Sequence, residues 1–296
     1  MRRLFLFLHL LVWSALLSGC RAERRASPAG PPAATPMPTT SSASAAGGAR
    51  RIVTLAPNLT EIVFALGAGD RLVGVSEYSD YPEAARAIPR VGGLEVDPER
   101  VAALSPELVL AIAEGSGRGA VGALQAAGVP VVVVPSGSLN AVLEAIRIVG
   151  QRLGREAESQ ALVEELSRKR AAVRARAAAS GRPRALLLVW PDPPQAAGAG
   201  TFLDDVLHEA GGDNVVAQRR GWPLLSKEYL ATADVDVLVV PDSAETRPAY
   251  ERAFSTGPLS RGPIARARVV RLEEAALTRP GPRVFDMLER LSQALR

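Results

Sequence analysis

The sequence predicts an α/β fold in which two lobes are joined by one long helix. Short runs rich in Val, Ile and Leu alternate with segments whose apolar residues recur at helical spacing, a pattern typical of a parallel sheet covered on both faces. Residues 156–179 interrupt this alternation with a run of Ala, Glu, Arg and Leu that contains neither Gly nor Pro. That run predicts a single helix, longer than most helices of globular proteins.

The first lobe is expected over residues 51–152, as four strands that are each followed by a helix. The strands are predicted by the apolar runs "RIVTLAP", "RLVGVSE", "ELVLAI" and "VPVVVVP". In the helix after the first strand, Asn58 is a favoured N-cap residue, and Glu61 lies three positions further on. Asp97 is expected to cap the second helix, with Pro98 in its first turn.

The second lobe is expected over residues 182–296, after a linking helix that we assign to residues 153–181. Its strands are predicted by "ALLLVW", "VDVLVVP" and "RVVRLE", and its helices by "TFLDDVLHEAG", "SKEYLATA" and "RVFDMLERLSQALR". The same alternation of strand and helix therefore occurs on both sides of the long helix.

A weak internal repeat supports two related lobes. The stretch "DPERVAALSPELVL" aligns without gaps with "SKEYLATADVDVLV", and in each an N-cap residue opens a helix and an acidic residue opens the next strand. Glu99 and Glu228 occupy the same place in these stretches, and the acidic residues that open the strands are Glu107 and Asp236. A carboxylate at a helix start also stabilises its own helix by about 0.3–1 kcal/mol, so the spacing alone leaves the role of this pair open.

The first twenty residues indicate export. Two arginines, an apolar run and small residues precede Cys20 in "MRRLFLFLHLLVWSALLSGC", which is typical of a signal peptide over residues 1–19. "LSGC" resembles a lipobox and predicts lipidation at Cys20; the alternative is an ordinary buried or free cysteine. Residues 20–50 are rich in Ala, Ser, Pro, Thr and Gly, so we expect a disordered tether. Because Cys20 is the only cysteine, the core must stabilise the fold without disulfides.

The composition disfavours nucleic-acid binding and catalysis. Without Arg2 and Arg3 of the expected signal peptide, 33 basic residues face 31 acidic ones, and this net charge of +2 opposes a phosphate-binding surface. One histidine remains after the signal peptide, His208 in the middle of a predicted helix, too few for a histidine-based metal site. Asp204 and Asp205 are expected to be solvated acids of a first helical turn.

Scarce aromatic residues occupy the carboxyl ends of the predicted strands, where ligands of open α/β sheets bind. Tyr78 follows the second strand, Trp190 ends the first strand of the second lobe, and Trp222 lies in the loop "RRGWPLLS". Asn58 follows the first strand. Large rings at such positions can cover a flat apolar ligand, although ordinary packing is the alternative for each of them. Tyr81 is expected to be structural.

The stretch from "RIVTLAPNLTEIVFALGAG" through "SEYSDYP" to "PERVAALSPELVLA" resembles the periplasmic substrate-binding proteins of metal-chelate ABC importers. "GWPLLSKEYL" and "TRPGPRV" follow in the order of that family, so the resemblance covers residues 51–296. Within the family, the chain resembles the cobalamin-binding members in particular. The resemblance implies the class III architecture, with two Rossmann-like lobes on a rigid helical backbone.

The resemblance also implies roles for individual residues. Tyr78 in "YSDYP" and Trp222 in "GWP" would contact a corrin ring from opposite lobes, and Arg279 in "TRPGPR" falls on a pocket arginine. Glu99 and Glu228 would be docking carboxylates that form salt bridges with arginines of the importer's membrane subunits. Charges of this kind set orientation and encounter rate more than affinity.

The chain departs from the cobalamin-binding members in its aromatic residues. It has "VGGLEV" where they have a tryptophan, Gln195 where they have a phenylalanine, and the strand end "AIAEGSG" without a ring. Haem or a ferric siderophore is therefore the alternative ligand. The arginines that could bind an anionic chelate are Arg118, Arg247 and Arg279.

These observations predict a lipid-anchored, monomeric solute-binding protein without enzyme activity, cofactor or directly bound metal. It would capture cobalamin or a related corrinoid and deliver it to the permease and ATPase of an ABC importer. The rigid helix predicts little movement of the lobes on binding. The alternatives from other classes are an exported enzyme acting on a small ligand in the same cleft and a structural lipoprotein without a ligand.

Overall fold

The computed structural model describes residues 48–93, 95–113 and 118–296. The expected signal peptide, the lipidation site at Cys20 and nearly all of the expected tether lie outside the described residues. The described residues belong to a single compact unit. Its helices include none that is both long enough and apolar enough to cross a bilayer.

The first lobe is a four-stranded parallel sheet in the order β2-β1-β3-β4, with helices on both faces. Buried side chains of the first and fourth helices cover one face of the sheet, and those of the second and third helices cover the other. The elements are β1 (Ile52–Thr54), α1 (Pro57–Ala65), β2 (Leu72–Val75), α2 (Pro98–Ala103), β3 (Leu108–Ile112), α3 (Arg118–Ala126), β4 (Val131–Val134) and α4 (Leu139–Leu153).

The start of α1 differs from the sequence-based expectation. Ala56 is the N-cap residue and Pro57 the first helical residue, because the fixed φ of proline suits that position and its missing N–H costs nothing there. Asn58 therefore lies inside the helix, where its side chain is free to bond elsewhere. In α2 the expectation is confirmed, since the side chain of Asp97 accepts hydrogen bonds from the backbone N–H groups of Glu99 and Arg100.

The second lobe is a five-stranded sheet in which β6, β5, β8 and β9 lie in that order and β7 also pairs with β5. All pairings are parallel except that of β5 with β6. The elements are β5 (Arg184–Pro191), β6 (Pro194–Ala196), α6 (Phe202–Ala210), β7 (Asp213–Asn214), α7 (Lys227–Thr232), β8 (Val237–Asp242), α8 (Arg247–Ser255), β9 (Arg268–Glu273), α9 (Glu274–Thr278) and α10 (Val284–Ala294). Of these, β6, β7, α8 and α9 were not expected from the sequence.

The strand order and similar hydrogen bonds in the two lobes support the predicted internal repeat. The parallel strands follow the order β2-β1-β3-β4 in one lobe and β7-β5-β8-β9 in the other. Glu107 accepts the backbone N–H of Arg50 at 2.7 Å, and Asp236 accepts that of Arg184 at 2.8 Å. Each acidic residue thus ties the start of the strand after a short helix to the start of the first strand of its lobe.

The predicted long helix is α5, Glu156–Ala178, with 23 residues. It buries only a narrow stripe along its length, formed by Ser159, Val163, Leu166 and Val173. The three apolar members of that stripe belong to one continuous cluster of buried side chains that includes residues of both lobes. The lobes therefore share a core through α5 instead of meeting at a flexible hinge.

Charged contacts also bind α5 and α4 to the second lobe. Arg170 of α5 donates to both carboxylate oxygens of Glu209 in α6, at 3.0 and 2.6 Å, and both side chains are largely buried. Asp205 of α6 accepts the backbone N–H of Leu139 at the start of α4, at 2.7 Å. Asp204 accepts from the Asn214 amide. The two aspartates are thus structural, and the expectation that they are merely solvated is wrong, because each satisfies a donor within the fold.

Candidate functional site

Tyr78 lies on a rigid β-turn at the carboxyl end of β2. The backbone N–H of Ser79 bonds to the carbonyl of Ser76 at 3.0 Å, and Arg90 donates to the carbonyls of Ser76 and Ser79 at 3.1 and 2.6 Å. The ring also lies against Gly93, where an added Cβ would come within 3.0 Å of it. Tyr78 is nevertheless 50% exposed, so one part of its ring is packed and the other faces solvent.

A chain of buried hydroxyl groups supports this turn from below. The hydroxyl of Thr60 lies 2.6 Å from that of Thr54 and 2.8 Å from that of Ser79, which in turn lies 2.8 Å from that of Ser76. All four side chains are buried. Because a fully satisfied buried network holds its members in one geometry, it fixes the turn on β1 and α1.

The second lobe presents an apolar patch at the carboxyl end of β5, which we call the hairpin patch: Trp190, Gln195, Trp222 and Leu224. Trp190 of β5 is the antiparallel partner of Gln195 in β6, and Gln195 forms a bridge with Leu224. Directly paired residues point to the same side of a sheet, so Trp190, Gln195 and Leu224 share one face. Trp222 lies in the adjoining loop, where its backbone carbonyl accepts a hydrogen bond from the Gln195 amide at 3.5 Å. Trp190, Trp222 and Leu224 are 40%, 49% and 60% exposed.

Buried ion pairs join the lobes close to Tyr81, in the loop after β2. Glu61 of α1 is 3% exposed and accepts two hydrogen bonds from Arg283, at 2.7 and 3.0 Å. Arg283 also pairs with Glu273 at 2.9 Å and lies 4.1 Å above the Tyr81 ring. Burial lowers the pKa of Arg283, but its bonds to these carboxylates outweigh that effect and raise it. Tyr81 therefore contacts Arg283, but the residue is 47% exposed, so its expected structural role stays a prediction.

A second pair joins the lobes two residues beyond Tyr78. Arg279 donates to Asp80 at 2.5 Å, and this bond lowers the pKa of Asp80. Alongside, the Asn58 amide donates to the carbonyl of Pro280 at 3.2 Å. The loop after β2 therefore contacts the loop after α9, and the carboxyl ends of the two sheets meet there.

Burial corrects the expectation for Asn58. Its side chain was expected to face a ligand, but the residue is only 2% exposed and its amide bonds across the lobe contact. We therefore assign Asn58 to the lobe contact. Arg279 is also less accessible than expected, with a side chain 16% exposed and already paired.

Glu99 and Glu228 occupy equivalent places, each as the second residue of a six-residue helix. Both are exposed, and within the described residues neither forms a salt bridge. Hydrogen bonds from its own backbone N–H and from the Ser226 hydroxyl lower the pKa of Glu228, so it is ionised at neutral pH. Each carboxylate is therefore available to an external cation.

The remaining sequence-based candidates lie elsewhere. Arg247 is paired with Asp242 through two bonds of 2.9 Å, and the side chain of Arg118 is outside the described part of the chain. His208 is exposed on α6 and bonds to Arg182. No three His, Cys, Asp or Glu side chains of the described residues converge as a metal-binding group.

A cavity of about 680 Å³ lies at the opposite end of the second sheet. It is lined by both polar and apolar residues at the amino end of β5 and in the neighbouring loops, among them the charged Arg184, Asp213 and Asp234. Because ligands of such sheets bind at the carboxyl ends of the strands, we place the site at the exposed rings and not in this cavity.

Two α/β lobes on a shared helix, with exposed rings at the carboxyl ends of strands in both sheets, define a class III solute-binding protein. Residues 52–259 match a family described as periplasmic binding protein, and the chain belongs to this family. Its members are solute-binding components of ABC importers and not enzymes.

Individual relatives agree with this assignment. The chain is 28% identical to an uncharacterized ABC transporter substrate-binding lipoprotein, YvrC of Bacillus subtilis, over 83% of this chain and 80% of that protein. It is also 28% identical to the vitamin B12-binding protein of Yersinia pestis, over 84% and 88% of the two chains. The periplasmic haem-binding protein RhuT of Roseiflexus sp. RS-1 superposes with a TM-score of 0.76 at 31% identity, over 84% of this chain and 98% of that one.

Proposed function

We propose that this protein captures cobalamin or a related corrinoid between its lobes and delivers it to the permease and ATPase of an ABC importer. The observation that carries the proposal is the placement of exposed rings at the carboxyl ends of both sheets. Tyr78 lies on the first lobe, and Trp190 and Trp222 lie on the second. Apolar faces of this kind supply contact area to a large flat ligand, and a few polar groups orient it.

The charges beside the rings support a corrinoid over an anionic chelate. Arg279 and Arg283 are each bonded to carboxylates of the first lobe. A ligand carboxylate would have to displace those partners before it could pair with either arginine. A corrin ring whose side chains are amides needs no such exchange.

Haem is the second candidate, because a haem-binding protein is among the relatives at 31% identity. Gln195 lies between the other residues of the hairpin patch. A phenylalanine at this position would make the face more aromatic. Both candidates use the same rings, so the choice between them is a matter of ligand chemistry.

In this proposal the signal peptide comprises residues 1–19, and Cys20 carries the lipid. A tether over residues 20–50 then joins the membrane to the folded part. The lobes are assigned to residues 51–152 and 182–296, and the linking helix to residues 153–181. Glu99 and Glu228 would dock the monomer on the permease by pairing with its arginines, one from each lobe.

Titration of the purified full-length protein with cyanocobalamin, followed by calorimetry, tests the proposal. Full burial of a large apolar side chain contributes about 1.5–3 kcal/mol. Tyr78 and Trp222 are already half buried, so each ring would contribute about 1 kcal/mol, or a fivefold change in Kd. We expect saturable one-to-one binding that weakens by about that factor in Tyr78→Ala and in Trp222→Ala.

Val269→Ala is the matched control, because this exposed side chain lies near the amino end of β9, away from the rings. Its Kd for cyanocobalamin should equal that of the wild type. Absence of cyanocobalamin binding, together with saturable haem binding that depends on the same two rings, would replace the first candidate with the second.

A further inference from the structure

Asp80 is the exposed member of the charged cluster at the lobe contact. Its side chain is 48% exposed, whereas that of its partner Arg279 is 16% exposed. Asp80 lies two residues beyond Tyr78, so it borders the proposed binding face. Of the two charged groups, Asp80 is therefore the more accessible to a ligand that contacts Tyr78.

The cluster holds more negative than positive charge. Three carboxylates, those of Glu61, Asp80 and Glu273, surround the guanidinium groups of Arg279 and Arg283. Arg283 pairs with two of these carboxylates, those of Glu61 and Glu273. Arg279 lies 3.6 Å from Glu61 but only 2.5 Å from Asp80, so Asp80 is the residue that determines whether Arg279 is neutralised.

We propose that Asp80 determines the charge preference of the binding site by occupying Arg279, so that the site selects neutral chelates and rejects those with peripheral carboxylates. The inference rests on the proposed function, because it assumes that the ligand lies at the exposed rings. Asp80 would border the bound ligand and would act on it through Arg279. Specificity then comes from repulsion of the wrong ligand as well as from attraction of the right one.

Two effects oppose an anionic ligand here. Its carboxylate would meet the ionised Asp80 as a like charge, which is destabilising. It would also have to separate Asp80 from Arg279, a charge-assisted contact that is stronger than a neutral hydrogen bond. The bond from Arg279 lowers the pKa of Asp80, so both effects persist throughout the neutral pH range.

The test compares haem with its dimethyl ester, two porphyrins that differ only in their two carboxylates. Kd values for both are measured by absorbance titration of the full-length protein and of Asp80→Asn, which keeps the side-chain shape and removes the charge. We expect Asp80→Asn to bind haem about fivefold more tightly than the wild type, the factor that corresponds to about 1 kcal/mol for a half-exposed charge pair. The Kd values for the dimethyl ester and for cyanocobalamin should change by less than about twofold.

Two further variants isolate the mechanism. Glu83→Gln removes another exposed carboxylate of the same loop region and should leave the preference unchanged. Asp80→Asn combined with Arg279→Gln should lose most of the gain in haem affinity, because only the relief of like-charge repulsion remains once the guanidinium is removed.

An equal gain in Glu83→Gln, a gain that is undiminished when Arg279→Gln is added, or no gain at all would each overturn the inference. Failure of Asp80→Asn to bind haem measurably would also overturn it. The proposed function is judged separately by cyanocobalamin binding to the wild type. If the wild type does not bind cyanocobalamin but Asp80→Asn still gains affinity for haem, the role of Asp80 is retained and the corrinoid is excluded as the ligand.

Discussion

Neutralising Glu61 should destabilise the protein far more than neutralising an exposed carboxylate. Glu61 is 3% exposed and accepts bonds of 2.7 and 3.0 Å from Arg283, which is itself 17% exposed. Removal of one partner from a fully buried pair costs about 3–5 kcal/mol, because the other charge is left uncompensated. Arg283 retains Glu273 and the Tyr81 ring, so we expect a smaller loss, about 2–3 kcal/mol in Glu61→Gln.

Thermal unfolding followed by circular dichroism measures this loss. For a domain of this size, 1 kcal/mol corresponds to about 2–4 °C, so Glu61→Gln should lower Tm by about 4–12 °C. The matched control is Glu165→Gln. Its pair with Lys169 is largely exposed, at 53% and 33%, and should contribute under about 1 kcal/mol. Equal Tm values for the two variants would refute the claim that the buried pair holds the lobes together.

Three further predictions concern the turn, the pH dependence and docking. Thr60→Val breaks the buried hydroxyl chain, so it should lower the free energy of unfolding by about 1–3 kcal/mol and weaken cyanocobalamin binding. Thr60→Ser keeps the hydroxyl and should preserve both stability and binding. Equal losses in the two variants, measured by unfolding and by calorimetry, would contradict this prediction. Arg279 lowers the pKa of Asp80 from its usual 3.8, so the folded state binds that proton less readily than the unfolded state. The stabilisation from this pair, at most about 1 kcal/mol, should be constant above about pH 5. It should be lost as the pH falls below the usual pKa and through the lowered pKa of the folded state. Urea unfolding of the wild type and Asp80→Asn across pH measures this dependence. A difference in the free energy of unfolding that does not shrink at low pH would contradict it. Reversal of charge at both Glu99 and Glu228 should abolish vitamin uptake by cells but leave the Kd unchanged; normal uptake would remove the docking role.

The long helix and the capped helices could be predicted because their signals are local. An unbroken run of helix-forming residues defines α5, and Asp97 with Pro98 defines the start of α2. The strands β6 and β7 could not be found in this way, since two or three residues show no periodicity. The capping role expected of Asn58 failed because the preceding proline takes the first helical position.

The exposed rings of the candidate site were predictable from their position after strands, but the ion pairs beside them were not. Arg283 lies 222 residues from Glu61, and Arg279 lies 199 residues from Asp80. No spacing rule connects residues so far apart. One signal was available: Glu61 interrupts the apolar face of α1, and a buried carboxylate requires a cationic partner.

The proposed binding site can be observed directly in a structure of the protein in complex with cyanocobalamin. We expect a corrin ring in contact with both Tyr78 and Trp222, the bond between Asp80 and Arg279 intact, and α5 unbent, with little change in the positions of the lobes. A corrin bound away from these rings, for instance at the cavity beside Arg184, or a large rotation between the lobes, would contradict it.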